Sequence, residues 1–374
     1  MEKIGIVGAS CRAMAASLCR SGGSVETGDL FADFDTCQLA PTTRLLKYPW
    51  SAISWLRASP VNAWCYTGGL ENYPRLIGRM AAVRPLLGNS PDTLRYVRDP
   101  FHLARLAAEN GFLFPKSASV LDHSSRDRWL SKPFRSAGGL QIQRHVQEQE
   151  PSRCSYWQQE LEGVPMSLAV LSNAHEWKLI GVSQLQVGAK YDAPGEFVFA
   201  GATSVAWSEL GCEGELRELI TMIHESANLV GLWGIDYIQA DRPVMLEVNP
   251  RWTATMPLYE RVTGTSLMPW HLMACREHSL CDFSPVPGRC SGVRIVYATQ
   301  AIVWTDDHRG RLAEEFALSR ESSLAKPVVA DIPTLGTRIE VGHPICSIYA
   351  DGATAHDVEA QIQQRVKIVR GLLA

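Results

Sequence analysis

The chain has 374 residues, 36 of them basic and 39 acidic, for a net charge of −3. That length supports two or three lobes around sizeable cores, and 46% hydrophobic with 20% charged residues fits a folded globular chain. No basic run offers a footprint for nucleic acid, no apolar run approaches a membrane span, and the ten cysteines are scattered without a CxxC pair or paired zinc spacing. Scattered cysteines and no secretory leader point to the cytoplasm.

Residues 3–8 read as a buried first strand. Gly8-Ala9-Ser10 turns into a helix over roughly 11–21, which Gly22-Gly23 would end. Gly5-x-x-Gly8 lacks the GxGxxG spacing, so a plain strand-to-helix turn is expected, not a dinucleotide site. Val61 to Tyr66 reads as another buried strand. It ends in Thr67-Gly68-Gly69-Leu70-Glu71-Asn72, and open α/β sheets bind ligands at such carboxyl ends. One helix is expected at 92–110, bounded by Pro91 and Gly111. Residues 1–115 thus read as a small α/β domain of the Rossmann type.

The texture then changes. Trp129–Pro133 reads as a strand carrying Lys132, and Arg135-Ser136-Ala137-Gly138-Gly139 as a small glycine-rich loop. Gln158–Gly163 leads into the apolar strand Ser167–Leu171. Residues 176–207 suggest antiparallel strands and 212–230 a helix. The stretch 282–289, with Pro285, Pro287 and Gly288, reads as a linker. The tail reads as a β-rich lobe closed by a helix at 354–371.

The most informative segment is Gly234–Ile238 followed by Leu246–Arg251. Both parts alternate apolar and polar residues, the period of strands, around a short turn at Asp241-Arg242. A hairpin centred there sets Asp236 opposite Glu247, with Asn249 and Arg251 on the same face. Like charges at roughly 5 Å repel. On an arbitrary hairpin they would simply face water. Here Leu232, Trp233, Ile235, Ile238, Met245, Leu246 and Val248 surround them, so a buried site needing a cation is expected. Two carboxylates and an amide oxygen suit magnesium, which shares its shell with substrate phosphates. The glycine-rich loop offers backbone N–H groups to phosphate oxygens, and Lys132 a mobile charge. Glycines and small residues give that loop little to pack, so it should be mobile without nucleotide.

In this order the motifs resemble the ATP-grasp superfamily of carboxylate–amine ligases. The resemblance covers about residues 1–280. It implies an α/β chain with α+β lobes: a Rossmann-like pre-domain (1–115), a small ATP-clamping lobe with the glycine-rich loop (116–170), a large lobe with the metal site (171–284) and a β-rich C-terminal lobe (285–374). It assigns Lys132, Ser136, Ala137, Gly138 and Gly139 to the nucleotide phosphates, and Glu160, Leu161 and Glu162 to the adenine hinge. Asp236, Glu247 and Asn249 become ligands to magnesium, or manganese in its place. Arg251 and Lys132 become the catalytic cations. Two departures stand out. The phosphate lysine that family members often carry after an aspartate is absent at Asp99-Pro100, leaving Arg98 as the candidate substitute. Pro165 stands where many members have a ribose-binding glutamate, leaving Glu162.

Gly8–Ala13, Asp29–Asp33, Thr67–Asn72, Ala330–Pro333 and Gly342–Cys346 are further similar to a branch associated with one-carbon-carrier cofactors, akin to tyramine–glutamate ligase. The resemblance therefore implies an ADP-forming ligase joining a carboxylate, glutamate or another amino acid, to an amine through an acyl phosphate. Its partners would be these small molecules, with no nucleic acid and no membrane; a homodimer is left open. The alternative is a degenerate ATP-grasp protein that binds nucleotide without ligating, motivated by the missing lysine. A dinucleotide oxidoreductase built on the N-terminal domain is the third reading.

Overall fold

The computed structural model describes residues 2–121, 127–145, 152, 154–276, 280, 288–319, 321, 324 and 326–373. The N-terminal domain is a four-stranded parallel sheet in the order Thr42–Arg44, Ser24–Asp29, Lys3–Gly8, Ala63–Tyr66. Lys3–Gly8 is central and buried from Ile4 onward, as expected of a parallel strand covered on both faces. Its two glycines serve packing. A β-carbon on Gly5 would press on Trp55 and Val61 at 3.1 Å, and one on Gly8 would strike the Thr67 hydroxyl at 1.8 Å. Gly8 thus lets the first turn abut the Thr67 loop.

The expected helix at 92–110 is two helices, Pro91–Val97 and Pro100–Glu109. The break has a local cause. Proline disfavours helical backbone in the residue before it and supplies no N–H. Asp99 turns out of the helix and caps the next one, accepting from Phe101 N–H at 2.9 Å and His102 N–H at 3.2 Å. Arg98 sits at the resulting corner.

A small antiparallel sheet follows, ordered Ser117–Ala118, Ser155–Gln159, Trp129–Pro133, Gln143–Arg144. Phe101, Phe134 and Tyr156 join it to the second helix, with ring centroids 5.1–6.3 Å apart. The large sheet has eight antiparallel strands, ordered Pro243–Asn249, Gly231–Gln239, Val164–Ser172, Trp177–Val187, Phe199–Val205, Cys290–Tyr297, Pro344–Gly352, Val329–Ala330. The C-terminal segment, read from sequence as a lobe of its own, therefore also extends this sheet. The linker expected at 282–289 lies mostly outside the described residues.

Helix Glu213–Ala227 packs into the core that includes Val170, Trp233 and Ile235. A second core merges Ile4, Ile6 and Met14 of the N-terminal domain with Leu171, Leu232, Met256 and Met268. Among the described residues, no helix is long and apolar enough to cross a membrane.

A buried charge cluster ties the N-terminal domain to the C-terminal segment. Arg12 Nε lies 3.0 Å from Asp331 and 3.7 Å from Asp35. Asp35 also accepts the Asp331 and Ile332 N–H groups, both at 2.9 Å. Removing one member of a buried pair strands the other charge, which costs about 3–5 kcal/mol. Asp35→Ala should therefore destabilise the protein by about 3 kcal/mol, read as a lower denaturant midpoint, whereas Asp92→Ala at an exposed pair should change it little.

Candidate active site

The hairpin has the register expected from its sequence as far as the site. Gly234 pairs with Asn249, Ile235 with Val248 and Asp236 with Glu247. A bulge follows, and Tyr237 pairs with Met245. Leu246 is the extra residue, and it lines a small pocket beside Glu247. Asp236 is held on both oxygens: Ser167 Oγ donates at 2.7 Å and Asn249 Nδ2 at 2.8 Å. Ser167 reaches it because the next strand pairs Ser167 with Asp236.

Electrostatics set the two carboxylates apart. Burial, reinforced by the facing Glu247, pushes Asp236 up to about 7. Burial also opposes ionisation of Glu247, but Lys132, Arg98 and Arg251 outweigh it and hold that carboxyl below its usual range. Burial depresses Lys132, which is 7% exposed and donates to Gln158 Oε1 at 2.9 Å. The structure thus brings Asp236, Glu247, Asn249 and Lys132 together from both sheets. Two carboxylates that resist joint ionisation fit a divalent cation. With so few protein donors, the rest of its shell would come from phosphates. Asn249 Oδ1 accepts from Arg251 at 3.3 Å and would exchange that contact for a cation.

Arg251 is more constrained than its sequence position suggests. Its Nε donates to Glu71 at 2.7 Å, and Glu71 has no exposed side-chain surface. A further nitrogen donates to the Trp252 carbonyl at 3.0 Å. A structural ion pair therefore exists, and it also fixes the guanidinium against Gly68, where a β-carbon would lie 3.3 Å from Cζ. Sequence reasoning missed Glu71 as the partner, although the loop carrying it stood out as a ligand loop.

The glycine-rich loop is seated over the site. Ser136 carbonyl accepts from Asn72 at 3.2 Å and from Arg98 at 3.3 Å. Gly138 carbonyl accepts from Phe199 N–H at 2.9 Å. Gly138 and Gly139 have φ of +61° and +76°, and a β-carbon on Gly139 would sit 1.9 Å from the Phe197 carbonyl. Ala137 and Gly138 also face a cavity of about 610 Å³ that reaches from Arg251 to the C-terminal segment.

Glu160, Leu161 and Glu162 join the small sheet to the large one, between Ser155–Gln159 and Val164–Ser172. The Glu160 N–H is already bonded to the Arg128 carbonyl at 2.8 Å, so that group does not read a base. Its carboxylate meets Arg144 at 2.9 Å. Glu162 is 86% exposed and meets Arg128 at 2.7 Å. The Glu160 carbonyl and Leu161 N–H are left as the hinge groups to test.

Residues 97–255 match the family model described as an ATP-grasp domain. The chain carries an ATP-grasp domain. The fold of nearly the whole chain is also found in solved structures of low identity. An L-amino acid ligase from Bacillus licheniformis superposes with a TM-score of 0.71 at 14% identity, covering 97% of this chain and 96% of that one. N5-carboxyaminoimidazole ribonucleotide synthetase from Thermotoga maritima gives 0.68 at 15%, covering 98% of each. Carboxyaminoimidazole ribonucleotide synthase from Aspergillus clavatus, complexed with ATP, gives 0.71 at 13%, covering 99% of each. At such identity these show a shared fold. No curated protein matches the sequence.

The glycine loop lies within the matched residues 97–255 and makes a sharp test. Gly139→Ala has no room in the seated position and an unfavourable φ. It should raise the ATP concentration for half-saturation at least tenfold while the unfolding temperature moves by only a few degrees, measured by nucleotide titration and thermal melting.

Proposed function

We propose that this protein is an ATP- and magnesium-dependent, ADP-forming ligase that joins a carboxylate to an amine. The observation that carries the reading is the juxtaposition of Asp236 and Glu247 with Lys132, beneath a glycine loop and beside a cavity reached by Arg251. Lys132 would orient the phosphates of ATP, and the 136–139 loop would exclude water. Asp236, Glu247 and Asn249 would hold magnesium, which neutralises phosphate charge when bound. A substrate carboxylate oxygen attacks the γ-phosphorus and ADP leaves. The amine nitrogen then attacks the acyl carbon, phosphate leaves and the nitrogen gives up a proton. Arg251, fixed by Glu71, would stabilise the oxygens that gain charge in the second step.

The cavity supports an amine acceptor. Burial, with Asp331, Asp35 and Asp29 nearby, pushes Asp33 on its wall up to about 9, so it stands there as a neutral carboxyl that a cationic amine bound beside it would let ionise. We take glutamate or another amino acid as the carboxylate, in a pathway to a one-carbon-carrier cofactor; the similarity of Thr67–Asn72 and Ala330–Pro333 supports this. We place the reaction in the cytoplasm, supported by the absence of a disulfide among the described residues. Incubation with ATP, magnesium, glutamate and candidate amines, followed by mass spectrometry, tests the reaction. ATP binding with no amine-dependent ADP release across a broad screen would instead support the non-ligating alternative.

Two variants examine individual roles. Glu247→Ala should abolish turnover in a protein that still folds, since the repulsion relieved at Asp236 offsets part of the cost of leaving buried Lys132 without its carboxylate; normal activity in the folded variant would remove Glu247 from the metal site. Arg251→Lys should lower turnover by roughly 100-fold, the effect of losing one oxyanion donor, with a much smaller change in ATP affinity. If ATP affinity and stability fall together while the folded fraction turns over normally, the Glu71 pair is its whole role.

A further inference from the structure

The segment Thr67–Tyr73 touches both ligand spaces at once. Thr67, Gly68 and Gly69 line the 610 Å³ cavity. Glu71 holds Arg251 at 2.7 Å. The next residue, Asn72, takes different partners. Its Nδ2 donates to the Ser136 carbonyl at 3.2 Å, and its Oδ1 accepts from Arg98 at 2.8 Å. Tyr73 then lies under Arg135 of the glycine loop, 5.3 Å from ring centroid to guanidinium.

The segment is short and stiff. Leu70–Asn72 is a single 3₁₀ turn, with Leu70 and Glu71 fully buried. Gly68 carbonyl is bonded to Ala9 N–H at 3.3 Å, and Tyr73 N–H to Leu70 carbonyl at 2.9 Å. The burial of Leu70 and Glu71 gives a displacement at 67–69 a short packed path to Asn72.

The amide chemistry is specific. Asn72 donates to the glycine loop through its amide nitrogen and accepts from Arg98 through its amide oxygen, two roles carried by two separate atoms of one short side chain. Aspartate would keep the acceptor and lose the donor. Arg98 adds a second bond to Ser136 at 3.3 Å, and its Nε is buried without a partner. It also borders the small pocket that contains Glu247. The contact chain therefore runs from the cavity wall, through Asn72 and Arg98, to the glycine loop and the metal side of the site.

We infer that Asn72 is a positioning residue that couples the acceptor cavity to closure of the glycine-rich loop over nucleotide. The inference rests on the ligase reading above. Linkage makes the coupling reciprocal: a nucleotide that seats the loop must also order the cavity wall, by the same free energy.

Hydrogen exchange of 67–73 and 135–139 tests this, with and without a non-hydrolysable ATP analogue and magnesium, in the full chain. In wild type the analogue should slow exchange in both segments at least tenfold. In Asn72→Ala the glycine loop should still respond and 67–73 should not. Asn72→Asp should behave like Asn72→Ala even though it keeps the Arg98 contact, and it carries the test if the alanine variant fails to fold. Nucleotide binding is measured on the same samples. Binding with no response at 67–73 in wild type, or a wild-type response in the aspartate variant, overturns the coupling and leaves the ligase reading intact. Absence of binding in wild type overturns both.

Discussion

Two carboxylates are forced to face each other across a hairpin, and much of the site answers to that conflict. Asp236 and Glu247 are fixed by strand register, so neither can move away without breaking the ladder. The protein does not neutralise them with equal partners. Asp236 receives hydrogen bonds from Ser167 and Asn249, whereas Glu247 receives the fields of Lys132, Arg98 and Arg251. The pair is therefore left short of positive charge at one corner and surrounded by it elsewhere. Such an imbalance suits a divalent cation bound together with a polyanion.

Those cations come from distant parts of the chain. Lys132 stands on the small sheet, Arg98 at the corner between two helices, and Arg251 just past the hairpin. Their convergence depends on how the small sheet, the N-terminal domain and the large sheet pack. The shared core of Ile4, Met14, Leu171, Leu232 and Met268 and the Phe101–Phe134–Tyr156 ring cluster hold that packing. The Arg12–Asp35–Asp331 cluster closes the third side and sets the far wall of the cavity.

The glycine loop shows how local sequence and tertiary context divide the work. Gly138 and Gly139 permit positive φ, and their small size lets the backbone approach the Phe197–Phe199 strand edge. What holds the loop in place is not in the loop. Asn72, Arg98 and Tyr73 belong to the N-terminal domain or its exit, and they bond or stack on it from outside. Mobility inferred from composition alone therefore takes no account of these anchors.

The hairpin was legible because its information is local. Alternation fixes which residues share a face, and a short turn fixes which residues oppose, so the Asp236–Glu247 pairing follows from residues 234–251 alone. The first strand, its turn and the lysine strand followed from equally short patterns. The helix break at Pro100 was also written locally, in the Asp-Pro pair, but the continuous apolar pattern on either side masked it. Tertiary structure alone decided the partners of the charges. That Arg251 finds Glu71, that Asn72 meets Ser136, and that the C-terminal strands extend the large sheet all involve separations of 64 residues or more. No periodicity encodes such contacts. They arise when apolar faces bury against one another and the charged groups left at the seams take the partners that geometry allows.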